Sequence, residues 1–342
     1  MLSWLDDFAT RAVLAARDIG LLNPLREFLL DGGSRYYWLY CVTGLAIAAY
    51  AYRKHAVARS FKDTLLDKEV WSSQSAINDY IIMVVTPVLR LTLLSWTVFN
   101  WRAVSHAVAD VLHSAGVTGT VTGATAAAMG VVLTLALFIA DDFARWWTHY
   151  LFHRIPELWE FHKVHHSAEV LNFATSERHH PVEVLFDATV LTAVYGTVNG
   201  LFIGCFGDKV TIATVAGANI FLFVFNICGG VLRHSPFWIS FGPRIERWII
   251  SPAMHQIHHS AKIEHFDRNL GGSLAIWDRY FGTLHIPKAG EIGALGIGEE
   301  TKDFRSLRVI YLRPFSAAAR LIRRRFKKIE AQRSQPSATI PA

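Results

Sequence analysis

Eight histidines fall in three short windows, His149-x3-His153, His162-x2-His165-His166 and His255-x2-His258-His259. On a helix, positions i, i+3 and i+4 share a face, so each window can aim its rings at one point. Imidazole is a ligand for zinc, copper, iron and nickel. A single ion takes three or four protein ligands, so eight imidazoles are enough for two. A lone histidine such as His55 or His106 carries no such meaning, and one HxxxH pair arises by chance. The HxxHH pattern twice, with HxxxH just ahead of the first copy, does not.

Thiolates play no part in this chemistry. Cys41, Cys205 and Cys228 sit in apolar runs without a CxxC spacing, as packing thiols do, which argues against a disulfide framework or an iron–sulfur site. Histidine ligation without thiolates also argues against a cysteine-type structural zinc site. Open positions on redox-active iron are where dioxygen binds and is activated.

Other polar residues stand close to the windows. Asp142 precedes His149 by seven residues and shares its helical stripe, where it either orients a ligand ring or caps a helix. In Arg178-His179-His180-Pro181-Val182-Glu183, His180 is a ligand or, preferably, a hydrogen-bonding neighbour. His234 is the best candidate for a ninth imidazole. Asn219 and Asn226 share a helical face, as glue between helices or as a cavity lining.

The chain must hold these residues in a membrane. Of its 342 residues 52% are hydrophobic and 18% charged, against about 25% charged in soluble domains, and mean hydropathy is +0.26. A span needs roughly 20 apolar residues. Candidates lie near 36–52, 79–98, 122–140, 184–204 and 210–231, the second interrupted by Pro87 and Arg90. The first 30 residues mix acidic and basic side chains with Leu, Trp and Phe, as an interfacial amphipathic helix does and a signal peptide does not.

Charge orients the spans. Lys and Arg mark cytoplasmic loops, and they cluster after the first span and near the C-terminus, within a net charge of +6. With 53–78 cytoplasmic, the second span runs outward and the third returns. A hairpin of the fourth and fifth then brings all three histidine windows and the basic tail to the cytoplasmic side. The tail suits a membrane surface better than nucleic acid, and its end from about Gln332 has the composition of disorder. Pro156 divides the segment between Asp141 and His166, so His149 and His153 belong to one helix and His162, His165 and His166 to the next.

In order and spacing the windows resemble the fatty acid hydroxylase and sterol desaturase superfamily of membrane di-iron oxygenases. The resemblance covers roughly 135–287 and includes the stretch from Asp141 to Ser167, the His180-Pro181-x-Glu183 element and the segment from Ile276 to Thr283. It implies that His149, His153, His162, His165, His166, His255, His258 and His259 hold two non-haem irons, with His234 where such proteins often place a further histidine. Asp142, His180, Glu183 and Asp278 would stand behind the ligands, and no bound organic cofactor is expected. The family hydroxylates or desaturates aliphatic chains with O2 and electrons from a separate redox protein, of ferredoxin or cytochrome b5 type with its reductase.

The expected fold is therefore an all-α polytopic membrane bundle of about four or five spans with a cytoplasmic histidine-rich helical cap. Residues 1–130 would form the N-terminal amphipathic segment and spans, 131–290 the di-iron catalytic domain including a membrane hairpin, and 291–342 a basic cytoplasmic tail. The expected function is hydroxylation of a sterol or fatty-acyl lipid. Desaturation at the same site is the alternative, since both begin with hydrogen abstraction. A metal transporter would need ionisable residues along a path through the spans, which offer little beyond Arg90, Asn219 and Asn226. A bis-histidine haem protein would not need clustered triplets.

Overall fold

The computed structural model describes residues 29–54, 60–95 and 100–333. The amphipathic N-terminal segment and the C-terminal end expected to be disordered lie outside these residues, except for a few at their inner edges. The described chain is mostly helical. In order, the helices are α1 (Trp38–Lys54), α2 (Phe61–Leu65), α3 (Lys68–Ser72), α4 (Gln74–Ser95), α5 (Trp101–Ser114), α6 (Gly123–Arg154), α7 (Pro156–His166), α8 (Pro181–Phe206), α9 (Ile220–Ile227), α10 (Pro252–His258), α11 (Ile276–Phe281) and α12 (Leu307–Arg333). A two-residue antiparallel hairpin, β1 (Thr214–Val215) with β2 (Ala218–Asn219), precedes α9.

The spine is α6, an Ala- and Leu-rich helix of 32 residues and hence about 48 Å long. A hydrocarbon core is about 30 Å thick, so a span that begins at Gly123 leaves its last turns, with His149 and His153, beyond the apolar layer. The helix stops where the sequence dictates. Ile155 precedes a proline, which disfavours the α conformation, and takes φ −100° and ψ 112°. Pro156 then opens α7, where its missing N–H costs nothing.

The second long apolar helix is α8, of 26 residues. It and α6 are long and apolar enough to cross a membrane, and only 28% and 17% of their apolar stretches are buried in the protein. A soluble core helix would be buried nearly throughout. Phe206 O at the end of α8 accepts from Val121 N just before α6, so the two helices are antiparallel. On another face of α8, Gly196, Gly200 and Gly204 recur every four residues against α5. A Cβ at these positions would lie 2.4 Å from Val104 Cβ, 2.5 Å from Ser105 O and 2.6 Å from Leu112 Cδ1. Small residues at such spacing let membrane helices approach closely. The stretch between the candidate spans 79–98 and 122–140 thus contains a helix that α8 is shaped to receive.

The expected fifth span, 210–231, is not a continuous helix. Ala216 and Gly217 turn the chain at φ 49° and 87°, and Gly229 breaks it again at φ 101°, leaving only the eight residues of α9 helical. The chain still returns along α6, as an extended run followed by a short helix. Non-helical backbone at membrane depth needs internal partners, and α6 provides them. Thr134 Oγ1 accepts from Ala213 N at 2.8 Å, and Thr134 O accepts from Asn219 Nδ2 at 2.9 Å. Asn219 also caps α9 by accepting from Phe221 N, so its amide joins two elements.

Much of the segment after 290 packs on the histidine-bearing helices. A 3-10 stretch, Gly298–Arg305, leads into α12, whose Phe315 meets Phe161 of α7 edge-on at 5.4 Å. Phe304 and Ile310 enter one core with Ile82 and Val164. A fully buried ion pair joins these parts. Arg178 Nη1 donates to Asp79 Oδ1 at 2.6 Å, while the same guanidinium reaches Val164 O, Ser75 O, Ser167 Oγ and Phe304 O. Each of its three nitrogens donates to at least one oxygen, as a buried charge requires.

The glycine stripe predicts a size limit. Gly200→Leu drives a side chain into the Ser105 carbonyl and is expected to cost about 1–3 kcal/mol, read as a lower unfolding temperature in detergent. Leu201→Ala, on the exposed face of the same helix, should leave that temperature nearly unchanged.

Candidate metal centre

The last turns of α6, all of α7, the 3-10 turn Gly230–His234 and α10 converge, and they bring nine imidazoles together in two groups. His149, His153, His162, His166 and His258 offer five nitrogens within 4.8 Å of one another, and His165, His234, His255 and His259 offer four. The HxxHH spacing explains the division. Each triplet sends its middle ring to one group and its outer two, a full turn apart, to the other. Each window is thus divided between two points rather than aimed at one, and α7 and α10 contribute to both. Ser251 caps α10 by accepting from Met254 N, Pro252 follows at the first position, and every residue of this short helix is buried.

In the first group the rings are held from behind. His149 Nδ1 donates to Leu270 O at 2.8 Å, His153 Nδ1 to Asp267 Oδ1 at 3.1 Å, His162 Nδ1 to Glu183 Oε1 at 2.7 Å and His258 Nδ1 to Arg268 O at 2.9 Å. A neutral imidazole has one N–H, so donation from Nδ1 leaves Nε2 a bare acceptor. Those bare nitrogens face each other. His149 Nε2 stands 3.0 Å from His162 Nε2, which is 3.1 Å from His166 Nε2, and Nε2 of His153 and His258 are buried without a hydrogen bond. Lone pairs so arranged repel unless a cation lies between them. Metal–nitrogen bonds of about 2.1 Å at right angles put neighbouring nitrogens about 3.0 Å apart. The donor set therefore fits a transition-metal ion.

The second group is as tight but less anchored. His255 Nε2 lies 2.9 Å from His234 Nε2, His234 Nε2 lies 3.2 Å from His165 Nε2, and His259 Nε2 lies 3.3 Å from His255 Nε2. Nδ1 of His165, His255 and His259 is buried and meets no acceptor among the described residues. Burial first, and mutual repulsion second, hold the pKa values of His165, His166, His234, His255, His258 and His259 well below that of free histidine. Neutral rings are the form that binds metal.

The acceptors behind the first group come largely from one loop. Asp267 and Asn269 both take positive φ, 57° and 54°, which short polar residues tolerate best. Asn269 Nδ2 donates to Met254 O at 3.1 Å. Asp278 accepts from Leu270 N, Gly271 N, Trp146 Nε1 and Thr283 Oγ1, so it shapes the loop that presents the carbonyls. Asp142 orients no ring and caps no helix of its own. Its carboxylate accepts from Ser273 N, Leu274 N and Trp277 Nε1 and binds the next part of the same loop to α6.

On the other side, Glu183 in the first turn of α8 accepts from His162 Nδ1 and, at 2.9 Å, from His179 Nδ1. Sequence reasoning missed His179. Its ring stacks on His165 at 4.5 Å with 10° between planes. Burial opposes charge on His179, yet the Glu183 carboxylate outweighs it and raises the pKa. His180 serves as a neighbour. Its Nδ1 accepts from Val182 N, capping α8, and its Nε2 donates to Tyr311 O of α12.

Residues 134–283, which enclose all nine imidazoles, match the fatty acid hydroxylase family model. Over these residues the chain is similar to fatty acid hydroxylases. It is 27% identical over 218 residues to ornithine lipid hydroxylase OlsE of Rhizobium tropici, a match covering 63% of this chain and 60% of that protein. Alkylglycerol monooxygenase of Homo sapiens is 25% identical over 52% of the chain and 36% of its own length, and that of Xenopus tropicalis 27% over 45% and 31%. The chain thus matches between about a third and three fifths of the length of these relatives. No solved structure matches it.

Two outcomes follow for this candidate metal centre. Asp278→Asn turns an amide toward four donors and loosens the acceptor loop, so metal affinity at the first group should fall about 10–100-fold with every ligand intact, measured by competition with a chelator. In wild type, anaerobic chelator titration should remove metal in two phases. The faster phase belongs to the less anchored second group and disappears in His255→Ala.

Proposed function

We propose that this protein is a membrane-bound non-haem di-iron oxygenase that hydroxylates an aliphatic C–H of a lipid, of sterol or fatty-acyl type, with O2 and electrons from a separate redox partner. One observation carries the proposal: nine imidazoles divide into two adjacent groups, one of five and one of four, each with its ligand atoms within 4.8 Å of one another. Ligand sets of this kind suit iron, and the histidine-only donors leave the ions electrophilic. Iron held here would supply dioxygen activation.

The chain's own residues supply the rest. Leu270 O, Arg268 O, Asp267 and Glu183 fix the rings of the first group so that no reorganisation is needed when a substrate arrives. The buried walls exclude water, which limits side reactions. A small cavity of about 60 Å³ reaches His234 of the second group between Tyr36, Cys41, Phe173 and Asn226, with Arg35 and Arg233 also in its lining. The relatives named for lipid hydroxylation and alkylglycerol oxidation support a lipid as the substrate class.

A cytoplasmic position for the histidines is supported by α12. Ile322, Phe326 and Ile329 are exposed on one stripe of it, among Arg323, Arg324, Arg325, Lys327 and Lys328. An apolar stripe flanked by basic residues lies on an anionic membrane surface, which is the character of the cytoplasmic leaflet.

The test is elemental analysis of the protein purified in detergent under anaerobic, iron-supplemented conditions, beside the variant with His162, His165 and His166 all changed to Ala. Two irons per chain, lost in the variant together with the hydroxylated lipids that the wild type produces in cells, are expected. Haem, or no bound iron, would sink the proposal.

A further inference from the structure

Outside the two groups, a third set of donors stands at the far side of the acceptor loop. His265, His285 and Glu291 offer two imidazole nitrogens and a carboxylate oxygen within 4.8 Å of one another. His285 Nε2 is 2.9 Å and His265 Nε2 3.5 Å from the same atom, Glu291 Oε1. Glu291 Oε2 is already used, accepting from Lys288 N at 2.8 Å, so Oε1 is the oxygen left for the rings. The nearby Lys262 ammonium is engaged elsewhere, donating to the Glu291 backbone carbonyl.

A plain hydrogen-bonded trio does not account for His265. Its side chain is fully buried, yet both ring nitrogens lack a hydrogen bond, and buried polar atoms are rarely left so. Its Nε2 faces Glu291 Oε1 beyond hydrogen-bonding geometry, at a separation that suits two ligands of one ion. Metal–nitrogen bonds of about 2.0–2.1 Å and metal–oxygen bonds of about 2.0–2.2 Å in a tetrahedron set donors about 3.4 Å apart. Two histidines and one carboxylate are a donor set that zinc accepts, with its fourth position open to water.

We propose that His265, His285 and Glu291 form a mononuclear site for a divalent ion of zinc type, separate from the two histidine groups. The ion would close the loop between His265 and His285. That loop carries Asp267, Arg268 O and Leu270 O, and His285 N already donates to Asn269 Oδ1 at 2.7 Å. The site therefore acts as a staple for the segment that holds three rings of the first group. It does not rest on the proposed oxygenase function, since the donors and their geometry stand whatever the neighbouring groups bind.

The test uses the full chain in detergent, loaded anaerobically with iron, then given zinc and desalted, with both metals counted by mass spectrometry. Glu291→Gln and His285→Ala are compared because both side chains are partly exposed (18% and 25%) and their loss should not unfold the protein. About one more zinc per chain in wild type than in either variant is expected, at equal iron content, together with a zinc-dependent rise in unfolding temperature that the variants lack. Equal zinc in all three proteins, or zinc that enters wild type only as iron leaves, would overturn the site.

Discussion

Nine imidazoles with their ring nitrogens gathered in two small volumes are the constraint from which the rest of the structure follows. Without positive charge between them such nitrogens repel, and removing them from water adds a further cost. The fold must therefore hold each ring against its own preference to turn away. It does so by giving the outer nitrogen an acceptor that fixes both tautomer and direction. Four of the five rings in the first group are held in this way. The acceptors lie on α8 and on the loop around Asp267 to Leu270, so these two elements must be rigid, and Asp278, Asp142 and Asn269 are spent on making them so.

The same requirement explains the architecture within the apolar layer. Two of the nine imidazoles, His149 and His153, sit at the end of α6 and the acceptor Glu183 at the start of α8, so the pairing of those two helices sets part of the site's geometry. Their antiparallel contact is fixed at the opposite end by Val121 and Phe206. The glycine stripe on α8 brings α5 against it, and Thr134 secures the returning chain to α6. Each contact satisfies backbone polar groups or maximises packing where lipid gives no hydrophobic drive between helices.

What the sequence revealed is what depends on local spacing. The histidines of α7 and α10 were visible because i, i+3 and i+4 share a helical face, and the break at Pro156 because proline limits its predecessor. The long apolar runs of α6 and α8 announced themselves by length. The acceptors behind the rings were mostly invisible, since Arg268 O and Leu270 O are backbone atoms that any residue could supply. His179 was hidden by its neighbour. In extended backbone before a proline, successive side chains point to opposite faces, so of the pair His179 and His180 one turns to the centre and the other caps α8. Hydropathy likewise could not report that Ala216, Gly217 and Gly229 take positive φ and interrupt the run 210–231. The four-residue spacing of Gly196, Gly200 and Gly204 is present in the sequence, but it took α5 packed against it to give it meaning.

The two histidine groups are built differently, and the difference has a physical consequence. Rings clamped by carboxylates and carbonyls keep their direction when a ligand arrives. Rings with an unengaged outer nitrogen can tilt at lower cost, because no hydrogen bond must break. The clamped group lies against the loop closed by Asp278. The freer group includes His234, whose ring borders the cavity near Tyr36 and Asn226. Rigidity is thus concentrated in the first group and adaptability in the second, beside the cavity. Under the proposed oxygenase function that asymmetry would let the second group adjust to an entering substrate while the first stays in register, and symmetrical clamping of both groups would oppose it.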